Sequence, residues 1–314
     1  MARTRRDDEQ PTPPAEPKLA PLSRAMRSEW TVVLAASLLL SVACYFMWQA
    51  YGGRVLRHPT YLLTREQIHC TAVPSWIRHD IVDEVLRRSK IEMNLNDPQL
   101  TPTLFAAFKL SPWVSDVKFV GKEYPAKVNI ELEYRKPVAW VHVWTSDLNG
   151  QQIPGVQPVD ATGVWLPPED FSQDDLGAYA RIAVGETSPT GPAGALWGDK
   201  RVHDAARLAA ALQQIWHDLE LYQIEPTQEP LAAGENIEFD IVTRGRGILI
   251  HWGHAPGEEV LGEPTVENKI AYLGEAIHPH RVDAGGIGYH IIDLRRLPSN
   301  WSQTARRGEA PVRN

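Results

Sequence analysis

The chain has 314 residues, 23% charged and 43% hydrophobic, with a formal net charge of −7. That length predicts two domains rather than one. The acidic balance argues against a protein built mainly to coat nucleic acid, because phosphate binding needs a basic footprint. Two cysteines, Cys44 and Cys70, cannot make a disulfide framework, and the ordinary composition excludes disorder over the whole length.

Residues 1–29 read as a Pro-rich cytoplasmic tail. Residues 11–21 hold five prolines in eleven positions, as expected of an extended, solvated leader. From Trp30 to Tyr51 come 22 residues without a charge. A helix of that length spans about 30 Å of hydrocarbon, so 30–51 is predicted to be a transmembrane helix. Trp30 marks one end, and Tyr45, Trp48 and Tyr51 crowd the other, where aromatic side chains suit the membrane interfaces. A cleaved signal peptide fits less well, because no small-residue cleavage pattern follows the run. Cys44 lies inside the span, which argues against pairing with Cys70. The tail carries six Lys/Arg against five acids, so charge leans only slightly towards an inside N-terminus. Gly52 and Gly53 mark the exit.

A mixed unit is expected over 60–137. Residues 62–70 suit a strand. Trp76 to Arg88 places Ile77, Ile81, Val82, Val85 and Leu86 on one helical face. A shorter helix is predicted from Pro102 to Leu110, with Leu104, Phe105 and Phe108 inward. Val114, Val117 and Phe119 then lead to a turn at Gly121–Pro125, and Val128, Ile130, Leu132 and Tyr134 alternate as a half-buried strand. The order is strand, helix, helix, strand, strand.

A β-rich domain is expected over 138–300, with 301–314 as a disordered tail. Val138 to Trp144 reads as strand. Thr145 to Phe171, with four prolines, reads as loop apart from a short hairpin around Thr162–Gly163. Residues 185–198 are Gly/Pro-rich loop. Asp199 to Leu221 keeps helical spacing at Val202, Ala205, Leu208, Leu212, Ile215, Trp216 and Leu219. Ile237, Phe239 and Ile241 alternate, residues 244–247 turn, and Ile248, Ile250 and Trp252 alternate on the return. Pro264–Thr265 opens a helix with Val266, Ile270, Leu273 and Ile277 on one side. Tyr289 to Leu294 is the last strand. The fold class expected is α+β.

Candidate chemistry is sparse. His251 and His254, and His278 and His280, flank turns, and neither an HExxH nor a paired CxxC pattern is present, so no metal site is expected. Gly285–Gly286–Ile287–Gly288 leads into a strand, whereas a phosphate-cradling loop must lead into a helix N-terminus. Arg244 and Arg246 suit a solvated hairpin tip. Glu258–Glu259 are not singled out among 39 acids for glycan hydrolysis, and no Gly-x-Ser-x-Gly elbow occurs. No catalytic residue and no cofactor are expected.

Several short motifs, in order behind the single span, carry a family resemblance. Ser111–Pro112–Trp113–Val114, then Tyr124–Pro125, then IELEYRKPVAWV resemble the FtsQ/DivIB family of bacterial cell-division proteins. The matched positions are Pro112, Trp113, Val114, Pro125, Arg135, Pro137, Val138 and Ala139 of its POTRA domain. Val260–Leu261–Gly262 with Lys269 and Leu273, and Ile292–Asp293–Leu294–Arg295, are similar to later family blocks. Tyr124 and Tyr134 depart from the family pattern, and Pro298 interrupts the expected final strand, because proline cannot donate a ladder hydrogen bond.

The resemblance implies a POTRA domain over 60–137, a β-domain over 138–300 and a non-enzymatic scaffold of septum assembly. It also implies an inner-membrane protein with its bulk outside, binding FtsB- and FtsL-like single-pass partners by strand pairing at a sheet edge. The partner-binding residues expected are Tyr289, Ile291, Asp293, Arg295, Arg296 and Trp301. Pro112, Trp113, Val114, Pro125, Arg135 and Pro137 are expected to be mainly structural. The alternatives are a POTRA-type envelope export or assembly factor, which would normally show tandem POTRA units and barrel strands, and a membrane-tethered envelope hydrolase, which needs paired catalytic groups.

Overall fold

The computed structural model describes residues 29–56, 59–89, 94–146, 151–227, 236–244, 247–277 and 290–298. It is a mixed α+β protein: an N-terminal helix long and apolar enough to cross a membrane precedes a sheet-rich body. Internal packing divides the chain into residues 1–62 and 63–314.

In the first unit, α1 runs Glu29–Leu56. It continues past the expected exit at Gly52–Gly53; glycine weakens a helix interior by about 1 kcal/mol without forbidding it. Its apolar side chains are exposed, Leu34 at 66% and Leu39 at 70% among them. Ser37 and Ser41 donate their hydroxyls to the helix's own carbonyls at Leu34 (2.9 Å) and Ser37 (2.8 Å). Such self-satisfied polar groups and an unpartnered apolar surface suit lipid.

The second unit begins with β1 (Ile68–Cys70), α2 (Ile81–Ser89), α3 (Leu100–Lys109), β2 (Val114–Glu123) and β3 (Lys127–Tyr134). These strands form a sheet of order β1-β3-β2, with β1 parallel and β2 antiparallel to β3. The element order agrees with the sequence reading, but several boundaries differ. β1 is shorter than 62–70, because residues 65–67 make a helical turn; Gln67 accepts the Thr64 N–H at 2.8 Å. α2 starts at Ile81 rather than Trp76, because the Asp80 carboxylate caps it, accepting from the N–H groups of Val82 (2.9 Å) and Asp83 (3.2 Å). Phe105 faces outward at 44% exposure, since Leu104 and Phe108, four apart, already define the buried stripe of α3. β2 continues to Glu123, which moves the turn to Tyr124–Ala126.

The remaining strands are β4 (Pro137–Ser146), β5 (Gln152–Asp160), β6 (Ala180–Ile182), β7 (Leu221–Pro226), β8 (Glu238–Thr243), β9 (Ile248–His254) and β10 (His290–Asp293). Their helices are α4 (Lys200–Leu212) and α5 (Val266–Ala276). They build one seven-stranded sheet of order β10-β9-β8-β7-β6-β4-β5. Part of the stretch expected to be loop after Thr145 is the strand β5, and the short hairpin expected around Thr162–Gly163 is closed by a Val159–Trp165 bridge. Pro154 is tolerated because β5 is an outer strand, where a missing donor leaves no ladder bond unmade, and Pro158 accepts the Leu166 N–H at 2.8 Å beside that short bridge. α4 ends at Leu212 rather than Leu221. Residues 213–220 turn back, Glu220 adopts φ +55°, and Trp216 still reaches the core through its own turn. β6 and β7 were not legible in the sequence.

Register explains the core. Val141, Ile182, Ile224, Ile241, Ile250 and Ile292 are paired in succession across β4, β6, β7, β8, β9 and β10. Each is buried in the cluster that includes α4 residues Val202, Ala205, Leu208 and Leu212 and α5 residue Leu273. The neighbouring row, Trp140, Arg181, Gln223, Val242, Leu249 and Ile291, falls on the opposite face.

Candidate functional site: the β10 edge and its cleft

β10 is one outer strand of the large sheet, and among the described residues nothing pairs with its free side. The N–H groups of His290 and Leu294 donate to Gly247 O (3.0 Å) and His251 O (2.8 Å) of the β9 side. Alternation therefore turns the amides and carbonyls of Ile291 and Asp293 away from β9, where another chain can meet them. Ile292 (6% exposed) and Leu294 (0%) anchor the strand in the core, whereas the Ile291 side chain is 57% exposed.

At the C-terminal end of β10, Arg295 forms a fork. It donates to Asp293 at 3.0 and 2.8 Å and to Glu238 of β8 at 3.1 Å. The Asp293 hydrogen bonds raise the Arg295 pKa further, and the same bonds hold Asp293 below the usual carboxylate range. Arg295 also crosses Gly253, which has φ +89°. A Cβ at that glycine would stand 3.0 Å from Arg295 Cγ and 2.3 Å from Glu263 Oε1, so only glycine fits.

Behind the fork lies a buried charge node. Lys269 of α5 is 0% exposed and donates to Glu263 Oε1 at 2.6 Å and to Trp252 O at 2.8 Å, with its ammonium 4.9 Å from the Trp252 ring centroid. Glu263, 2% exposed, also accepts from the His254 N–H (2.9 Å) and the Val260 N–H (3.1 Å), and pairs with His254 Nδ1 at 2.7 Å. Burial pushes the Glu263 pKa up, but the Lys269 and backbone hydrogen bonds outweigh it, and the net shift is downward. The node fixes the 255–263 loop against the sheet. That loop holds Val260 at 44% and Leu261 at 106% exposure on the wall of a cleft of about 620 Å³, which Glu238, Asp293, Arg295 and Arg296 also line. A fully exposed leucine beside an open strand edge is an apolar handle next to a hydrogen-bonding template.

Of the expected partner-binding residues, Ile291, Asp293, Arg295 and Arg296 gather at this edge. Tyr289 and Trp301 lie outside the described residues, as do Arg246, His278, His280, residues 285–288 and the expected tail 301–314. The other group of expected residues is mostly interior. Pro112, Trp113, Val114 and Pro137 are buried. Trp113 Nε1 donates to the buried Asp170 at 2.8 Å, and Asp170 also meets His79 Nδ1 at 2.8 Å and the Arg78 N–H at 3.1 Å. Arg135 pairs with Asp160 at 2.7 Å and donates its N–H to Trp113 O at 2.8 Å. These contacts join the small sheet to the chain around β5. Pro125 stands apart, exposed in the β2–β3 turn after a cis peptide bond.

His251 and His254 are separately occupied by Asp240 (2.6 Å) and Glu263, and no cluster of three metal-ligating side chains occurs among the described residues. Sequence reasoning missed Asp170 and Glu263. A signal for Glu263 existed: Lys269 sits on the apolar side of α5 between Val266 and Leu273, and a charge there demands a buried partner. Comparison with protein-family models and with curated proteins finds no match.

Proposed function

We propose that this protein is a non-enzymatic, single-pass scaffold of the bacterial septum-assembly machinery, similar to the FtsQ/DivIB family, that captures FtsB- or FtsL-like bitopic proteins by strand addition at β10. The observation that carries this reading is the open β10 edge beside the exposed Val260–Leu261 loop. Main-chain pairing contributes only about 1 kcal/mol net per hydrogen bond, so apolar anchors such as Leu261 and Ile291 and the charges of Arg295 and Arg296 must supply the rest. The β1-α2-α3-β2-β3 unit, with its β1-β3-β2 sheet, suits the POTRA domain that the reading requires. An apolar N-terminal helix suits an inner-membrane anchor with the short tail cytoplasmic and the bulk outside.

The test uses Ile291→Pro. Residue 291 directs its N–H outward, so proline removes a donor from the free edge while the β9 ladder keeps its bonds. With the full chain in detergent micelles, capture of single-pass coiled-coil division proteins from the same cell should fall at least tenfold for Ile291→Pro and for Leu261→Asp. Unfolding temperature should stay near that of the parent. Unaltered capture by both variants refutes the edge reading.

A further inference from the structure

A bulge in β7 sets up a separate site on the sheet face away from α4, beyond the end of β8 opposite the Glu238–Arg295 pair. Leu221 pairs with Thr243 and Gln223 with Val242, so Tyr222 is an extra residue without a register partner. Bulges re-aim side chains, and here the Tyr222 ring meets two guanidinium groups. Arg181 of β6 lies 4.6 Å from the ring centroid and donates Nη1–H to the Tyr222 hydroxyl at 2.5 Å. Arg244, whose N–H donates to Glu220 O at 2.8 Å, lies 5.2 Å from the same centroid. Together with Tyr179, Trp216 and Glu220 these three side chains line a pocket of about 110 Å³.

Among the described residues, two guanidinium groups line this pocket beside one carboxylate, that of Glu220. Arg78, Arg135 and Arg295 each reach a carboxylate, but among the described residues neither Arg181 nor Arg244 does. The positive field is felt nearby: His142 is held below the usual imidazole range, first by burial and then by the Arg181 charge. Arg181 is half-buried and Arg244 exposed, and a guanidinium drawn partly out of water gains most from an anion placed against it.

We propose that Arg181, Tyr222 and Arg244 form a receptor for the carboxylate of an acidic side chain on a partner polypeptide. Whole small-molecule ligands occupy pockets of about 300 Å³ or more, so this one admits the tip of a side chain only. A guanidinium that already spends one N–H on Tyr222 keeps a planar pair of donors, which matches the two oxygens of a carboxylate. Glu220 in the wall weighs against a dianion such as phosphate.

The full chain in detergent micelles is titrated calorimetrically, at constant ionic strength, with a blocked Gly-Glu-Gly peptide, its Gly-Gln-Gly counterpart and inorganic phosphate. Saturable binding of the glutamate peptide alone is expected. It should weaken by about tenfold, equivalent to 1.4 kcal/mol, in Arg181→Lys and in Arg244→Gln at unchanged unfolding temperature. Equal binding of the two peptides, tighter binding of phosphate, absence of saturable binding, or parental affinity in both variants overturns the proposal. Ile291→Pro should leave this titration unchanged, which separates the receptor from the β10 edge.

Discussion

Glu263 shows how one side chain organises a surface from within. Its carboxylate serves Lys269, His254 and the Val260 N–H together, and both members of the ion pair are almost wholly removed from water. A pair of this kind need not add much net stability, because desolvation offsets the Coulomb gain. Breaking it is another matter, since the surviving charge stays buried alone. Glu263→Ala should cost about 3–5 kcal/mol in urea unfolding of the full chain. Adding Lys269→Met should recover much of that loss, because the orphaned ammonium is then gone. A single variant as stable as the parent would show that Lys269 finds water instead. Gly253 belongs to the same design: its φ of +89° and its approach to Glu263 leave no room for a Cβ.

Among the elements, the two outer strands of the large sheet are treated in opposite ways. β5 carries Pro154 and Pro158, facing Trp144 and Trp140 of β4. They are four apart and so share one orientation; Pro154 withholds a donor from the free side, whereas at Pro158 that side is already met by residues 164–166, the Leu166 N–H donating to Pro158 O at 2.8 Å. β10 has no proline and offers complete peptide groups at Ile291 and Asp293. An edge blunted on one side and left open on the other is what selective strand addition requires. Replacing Pro154 by Val should restore an outward donor on β5 and increase self-association, measured by sedimentation of the micelle-bound protein. A purely monomeric Pro154→Val variant would mean that this proline has no protective role. The helices teach a related lesson. Asp80 and Asp199 each accept a first-turn N–H of the helix that follows; the Asp80 cap sets a start that apolar periodicity placed at Trp76, whereas the helix expected from Asp199 begins at Lys200.

For the whole molecule, the titrating groups outside the apolar helix define a stability window. Glu263, Asp199 and Asp293 have folded pKa values below their ordinary ones. The folded state therefore binds fewer protons than the unfolded chain, and this stability is complete above the ordinary carboxylate range and lost as pH falls through the folded values. On the alkaline side, burial pushes the Cys70 thiol up to about 12 and the Tyr134 hydroxyl up to about 12. The folded state there keeps protons that the unfolded chain releases, so stability declines as pH rises above the ordinary thiol value of about 9. Unfolding temperature against pH should thus plateau between about 5 and 8 and fall on both sides. Glu263→Gln should flatten the acid limb; an acid limb identical to the parent's would exclude that carboxylate as a source.

Local pattern alone determined much of this protein. An uncharged apolar run demands a helix with lipid-compatible surface, and strict alternation at Ile237–Ile241 and Ile248–Trp252 demands a two-faced hairpin, because side-chain period follows from backbone geometry. The burial of Ile292 and Leu294 beneath an exposed Ile291 follows from the same rule. Only the tertiary structure decided that a proline-bearing stretch is a strand, because an outer position excuses the missing donor. It alone brought Glu263 beneath Lys269, and joined Arg181 of β6, Tyr222 of β7 and Arg244 just past β8. Those juxtapositions depend on strand order, register and a bulge, which no spacing along a single segment encodes.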